Sequence, residues 1–165
     1  SAPDAGNGIG GRGRMTKPFP ETSFLCAIYR EQDNSPFADK LRKAIPDPLP
    51  VSALVLFEFR QSVRLQMRLH RNNAQLGFGE KEGLAMLRDL QSDLSSGVLE
   101  VLAADWAGVF SMAEMLSAKH TENGGHRFAD ILHVATALQL GVSTFLTFDS
   151  NQCRLAEAEG LSVPR

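Results

Sequence analysis

The clearest pattern in the chain runs from Arg127 to Asp149, RFADILHVATALQLGVSTFLTFD. Phe128, Ile131, Leu132, Val134, Ala135, Leu138 and Leu140 recur at steps of three and four, the spacing of one helix face. Gly141 follows where such a helix would stop, since glycine takes a left-handed conformation without steric cost. The next segment, VSTFLTF, is rich in β-branched and aromatic side chains and predicts a buried strand. Asp149 falls at that strand's carboxyl end, and Asp130 in the first turns of the helix before it. If the two pack as a parallel α/β unit, the strand end opens into the crevice where such sheets bind ligands.

The same alternation precedes it. KPFPE, residues 17–21, predicts a short first strand, although Pro18 and Pro20 each remove a ladder donor. Thr22 or Ser23 then caps a helix over FLCAIYR, with Phe24, Leu25 and Ile28 facing inward, which leaves Glu21 at a strand end. Ser35 as cap and Pro36 as first helical residue start a second helix, which stops before IPDPLP. LPVS reads as a buried strand. Ser52 caps a long helix to Asn72, whose Leu54, Val55, Phe59, Val63 and Met67 form one apolar stripe. Glu58 lies about one and a half turns into that helix. A further amphipathic helix closes at Gly97, VLEVL alternates as a strand, and Asp105 is placed to cap WAGVFSMAEMLSAKH ahead of a polar loop, TENGG. After Asp149, SNQCRLAEAEG reads as a helix ending at Gly160, and LSVPR as a last edge strand. Strands alternating with helices, without tandem hairpin signals, predict an α/β domain with a mostly parallel sheet.

At 165 residues with 43% hydrophobic content, one soluble domain is expected. No run approaches the roughly 18 apolar residues of a membrane span. Residues 1–14, SAPDAGNGIGGRGR, are Gly-rich, aperiodic and without an apolar signal-peptide core. They are expected to be a flexible tail or expression remnant ahead of a domain over 15–165. Asp4, Arg12 and Arg14 leave that tail at +1, so the domain carries −3 of the chain's net −2. A mildly acidic domain lacks the footprint of a strong sequence-independent nucleic-acid binder. Cys26 and Cys153 form no CxxC pair, which leaves zinc ribbons and thioredoxin-like sites unsupported and fits a reducing cytoplasm.

Glu21, Glu58, Asp130 and Asp149 share an address: each is an acid among apolar residues, at a strand end or in an early helical turn. Burying an unpaired acid is costly. A divalent cation is one answer, because Mg²⁺ and Mn²⁺ take oxygen ligands from a few carboxylates, waters and substrate phosphates. Singly, each acid has a plainer use. Asp130 suits a helix start, Glu58 can pair with Arg60 or Arg64, and Asp149 can cap the next helix. Only their convergence makes a site.

With those residues in view, the chain resembles the PIN-domain ribonucleases, and among them the VapC-like toxins of bacterial toxin–antitoxin pairs. The resemblance spans about residues 18–163 and is carried by ETSFLCAIYREQDNSPFAD, VSALVLFEFRQSV and above all FADILHVATALQLGVSTFLTFD. It implies a three-layer α/β/α PIN-like domain and a Mg²⁺- or Mn²⁺-dependent endoribonuclease. Glu21, Glu58, Asp130 and Asp149 would be its metal-holding catalytic acids, with Thr22 and Thr147 as auxiliaries. It also implies an antitoxin protein as partner, and a homodimer. Where the family has Asp at its first acid, this chain has Glu21, one methylene longer. That change weakens activity, shifts metal preference or marks an inactive copy kept as an RNA- or protein-binding module. Arg64, Arg68 and Arg127 are candidate RNA-phosphate contacts, against the plainer reading of solvated surface. His133 shares a helix face with Asp130 and is expected to be packed or hydrogen-bonded rather than a ligand.

Overall fold

The computed structural model describes residues 17–165; the segment read as a tail, residues 1–14, lies outside them. Four short strands and seven helices follow in the order β1 (Phe19–Pro20), α1 (Thr22–Tyr29), α2 (Ser35–Ala44), β2 (Leu49–Ser52), α3 (Ala53–Asn72), α4 (Glu80–Ser95), β3 (Leu99–Leu102), α5 (Trp106–Gly124), α6 (Phe128–Gln139), β4 (Phe145–Leu146) and α7 (Ser150–Ala158). Helices cover parallel strands in a three-layer α/β/α arrangement. α1 packs on α2, α3 and α4, while α6 packs on α5 and α7.

The strands form two parallel pairs, β1 with β4 and β2 with β3. The prolines of the first strand explain the division. Phe19 and Glu21 donate their amides to Thr144 and Leu146 on the β4 side. Amides alternate along a strand, so Pro18 and Pro20 face the opposite side, toward β2, where neither has an N–H to give. β1 therefore lies against β2 without a ladder.

Several boundaries differ from the sequence reading by identifiable causes. Glu21, not Thr22 or Ser23, caps α1, because its longer side chain folds back to accept from the Ser23 amide. Asn34 is the cap of α2, and the Ser35 hydroxyl instead bonds the end of α1 at the Ala27 carbonyl. TENG is the last turn of α5 rather than loop, since Gly125 at φ 64° supplies the left-handed terminus one residue later. The strand VSTFLTF contracts to Phe145–Leu146, and LSVPR contributes a single parallel bridge, Ser162 to Thr144, instead of a strand.

Phe59, Val55, Val63, Leu25 and Phe145 are buried at the centre, with Tyr29 edge-on to Phe59 at 5.6 Å between ring centroids. Phe128, counted with the inward face of α6, is 73% exposed instead. It is the first residue of its helix, where one turn of periodicity does not yet constrain direction. Truncating Phe59 to Ala is expected to cost about 3–5 kcal/mol, and Phe128→Ser less than about 0.5 kcal/mol. Urea unfolding of both variants checks the assignment, and equal losses would contradict it.

Candidate functional site

The ends of β1 and β4, the first turn of α6 and the long helix α3 bring the four acids to a single cleft of about 410 Å³, which Thr22, Arg127 and Gln152 line with them. Each acid arrives by its own route. Glu21 follows the last residue of β1, is 2% exposed, and accepts from the amide and hydroxyl of Ser23. Asp130 is the third residue of α6 and accepts from the Arg127 amide at 3.0 Å. Asp149 caps α7, accepting from the amides of Asn151 and Gln152 at 2.8 and 3.0 Å. All three thus sit at helix N-termini, where unpaired amides and the macrodipole favour negative charge. Glu58 is inside α3, where backbone amides are already used, and it is held by side chains instead. Its Oε2 accepts from the Thr22 hydroxyl and from His133 Nε2 at 2.5 Å.

Among the described residues no Lys or Arg pairs with Glu21, and burial pushes its carboxyl up from the ordinary value despite the Ser23 bonds. Burial also pushes Glu58 up, but the hydrogen bonds from His133 and then the Thr22 hydroxyl outweigh this and hold it low. Cys26, half-buried on the cleft wall, registers the same field. Burial first, then the carboxylates of Glu21 and Glu58, push its thiol up to about 12. A thiol so held in its protonated form is unreactive.

Positive charge is sparse here. Arg127 lies 3.5 Å from Asp130 and 3.7 Å from Asp149, but its side chain is 74% exposed. Water screens such contacts, so they offset little of the acids' repulsion. Arg64 and Arg68 lie on an exposed stretch of α3 outside the cleft lining. Thr22 is on the Glu58 carboxylate, whereas the Thr147 hydroxyl accepts the Asp149 amide at 2.9 Å.

Two participants escaped the sequence reading as site residues. Gln152 is buried between two acids, its amide nitrogen 3.4 Å from both Glu21 Oε2 and Asp130 Oδ1. Nothing in SNQCRLAEAEG marks it except its place three residues after Asp149. His133 was expected to be hydrogen-bonded, which it is, but its partner is Glu58, 75 residues earlier in the chain.

The donors are all oxygen, the set a hard dication prefers. Among the described residues, no three acid, histidine or cysteine side chains converge closely enough to hold an ion as they stand. The contacts explain why: Gln152 stands between Glu21 and Asp130, Asp149 is turned to its cap, and Glu58 is drawn toward Thr22 and His133. Acid chemistry and shared cleft fit a dication; the present rotamers answer the charge with neutral donors instead.

The raised pKa of Glu21 has a testable consequence. Folding favours protonated Glu21, a contribution fully present below about 4.5, its ordinary value, and lost as pH rises through the folded value. In chelator, the melting temperature of Glu21→Gln should therefore gain on wild type as pH rises from about 4.5 through the folded value. A difference that shrinks over that range contradicts the assignment.

Comparison with known proteins places this geometry in context. The PIN domain model matches residues 19–158. Similar solved structures include the VapC20 toxin of Mycobacterium tuberculosis, described as cleaving the sarcin–ricin loop, at 21% identity and TM-score 0.60, covering 88% of this chain and 96% of that one. FitAcB from Neisseria gonorrhoeae matches at 18% identity and TM-score 0.58, covering 89% and 96%. PAE2754 from Pyrobaculum aerophilum matches at 18% identity and TM-score 0.59, covering 90% and 89%. At these identities the structures speak for the fold alone. No curated protein matches the chain.

Proposed function

The chain belongs to the PIN domain family, a family of nucleases in general, and from that premise we propose that it is a Mg²⁺- or Mn²⁺-dependent endoribonuclease, the toxin of a toxin–antitoxin pair. One observation carries this reading: four carboxylates from four separate elements line one cleft, and its only cationic side chain among the described residues, Arg127, lies at the rim.

In this reading Glu21, Glu58, Asp130 and Asp149 hold the dication, which when bound polarises phosphate oxygens and activates water. The chain's own residues do the rest. Helix N-termini fix the backbone positions of Glu21, Asp130 and Asp149, so side-chain rotation within the cleft is what presents their carboxylates to an ion. Thr22 restrains Glu58. Arg127, extended over Asp130 and Asp149, is placed to exchange those acids for an RNA phosphate. Arg64 and Arg68 lie further off and serve at most the flanking backbone. Exposed Phe110, Met115 and Phe128 offer apolar surface for an antitoxin or a second copy. No helix among the described residues is long and apolar enough to cross a membrane.

Cleavage of RNA in Mn²⁺ should fall by roughly a hundredfold or more in Asp130→Asn and Glu58→Gln, the scale on which misplaced catalytic groups are felt. It should vanish with chelator. Equal cleavage by wild type and both variants sinks the proposal.

A second reading has its own support. Both oxygens of Glu21 are engaged, Oε1 by Ser23 and Oε2 by Gln152. Such an acid is a poor ligand, and the chain would then be an impaired PIN domain retained for RNA or protein contact. Glu21→Asp separates the two. An inert wild type with a cleaving Asp variant favours the second reading, and an active wild type excludes it.

A further inference from the structure

We propose that His133 is the positioning residue for Glu58, a role that rests on the metal-site reading above. Three of the acids are anchored by backbone amides at helix N-termini: Glu21 by Ser23, Asp130 by Arg127, and Asp149 by Asn151 and Gln152. Glu58 has no such anchor, because amides inside α3 are spent on the helix. Its long side chain would otherwise sample several rotamers.

His133 answers that need. It is 0% exposed, and its Nε2 stands 2.5 Å from Glu58 Oε2. Its Nδ1 is buried without a hydrogen-bond partner among the described residues. A ring proton there would be stranded, so the proton sits on Nε2 and is donated to the carboxylate. Thr22 donates to the same Oε2, and Oε1 accepts from no donor among the described residues. Both constraints thus fall on one oxygen and leave the other for a ligand. His133 also lies three residues after Asp130 in α6. The helix that delivers Asp130 to the cleft therefore sets the place of Glu58 as well, and couples two acids otherwise 72 positions apart in the sequence. A histidine present only to fill the core would be equally served by leucine.

The test measures Mn²⁺ binding by calorimetry on the intact chain, with melting curves of each variant alongside. Outer contacts that orient metal ligands are worth about 10–100-fold in affinity. His133→Leu should accordingly weaken Mn²⁺ binding about tenfold or more without lowering the melting temperature. His133→Gln, whose amide nitrogen reaches as far as Nε2, should recover most of the loss. His133→Asn, one methylene short, should not. Binding in His133→Leu within twofold of wild type, while Glu58→Gln loses it, overturns the positioning role and leaves the metal site standing. Equal binding in His133→Gln and His133→Asn overturns it too, and stays decisive if the leucine variant does not fold. Unchanged binding in Glu58→Gln sinks the metal site and this role together.

Discussion

Mutual repulsion among four carboxylates facing one cleft is the constraint around which this molecule is arranged. Three of the four are stationed at helix N-termini, where amides and the macrodipole meet negative charge without spending a cation. The fourth, Glu58, receives a histidine and a threonine hydroxyl. Gln152 inserts a neutral donor between the two most buried acids. These devices hold the acids together yet supply almost no positive charge. A screened, exposed Arg127 is the cleft's only guanidinium among the described residues, and such a contact is worth at most about 1 kcal/mol. A dication remains the natural complement.

The architecture follows from placing those acids. Parallel strands deliver Glu21 and Asp149 from the same ends of neighbouring strands, as β1 and β4 pair in register at Phe19–Phe145 and Pro20–Leu146. The prolines of β1 give up bonding toward β2, and the pairing that matters for the site, to β4, keeps its amides. The His133–Glu58 contact ties α6 to α3. Glu21 is held at this edge by the amide and hydroxyl of Ser23 and by the Gln152 side chain.

Much of this was legible in residues. The three-and-four spacing of α6, its stop at Gly141 and the strand before Asp149 all follow from short-range physics, and so does the capping of α3 by Ser52. Convergence was not legible, because it depends on strand order, which no local pattern encodes. Gln152 illustrates the limit: an amide on a polar helix face has no sequence signature until Glu21 and Asp130 are brought beside it. Phe128 shows the opposite failure, a residue in phase with the apolar repeat but placed by the first turn in solvent. The last turn of α5 was hidden because TENGG is polar, whereas Gly125 needed only to supply the terminating left-handed residue.

The most direct test is an anomalous-difference map from a crystal soaked in millimolar Mn²⁺. A peak in the cleft, coordinated by carboxylate oxygens of Asp130 and at least one of Glu21, Glu58 and Asp149, is the predicted result. A cleft without manganese, its acids still held by Gln152, Ser23 and His133 at saturating ion, would contradict the account.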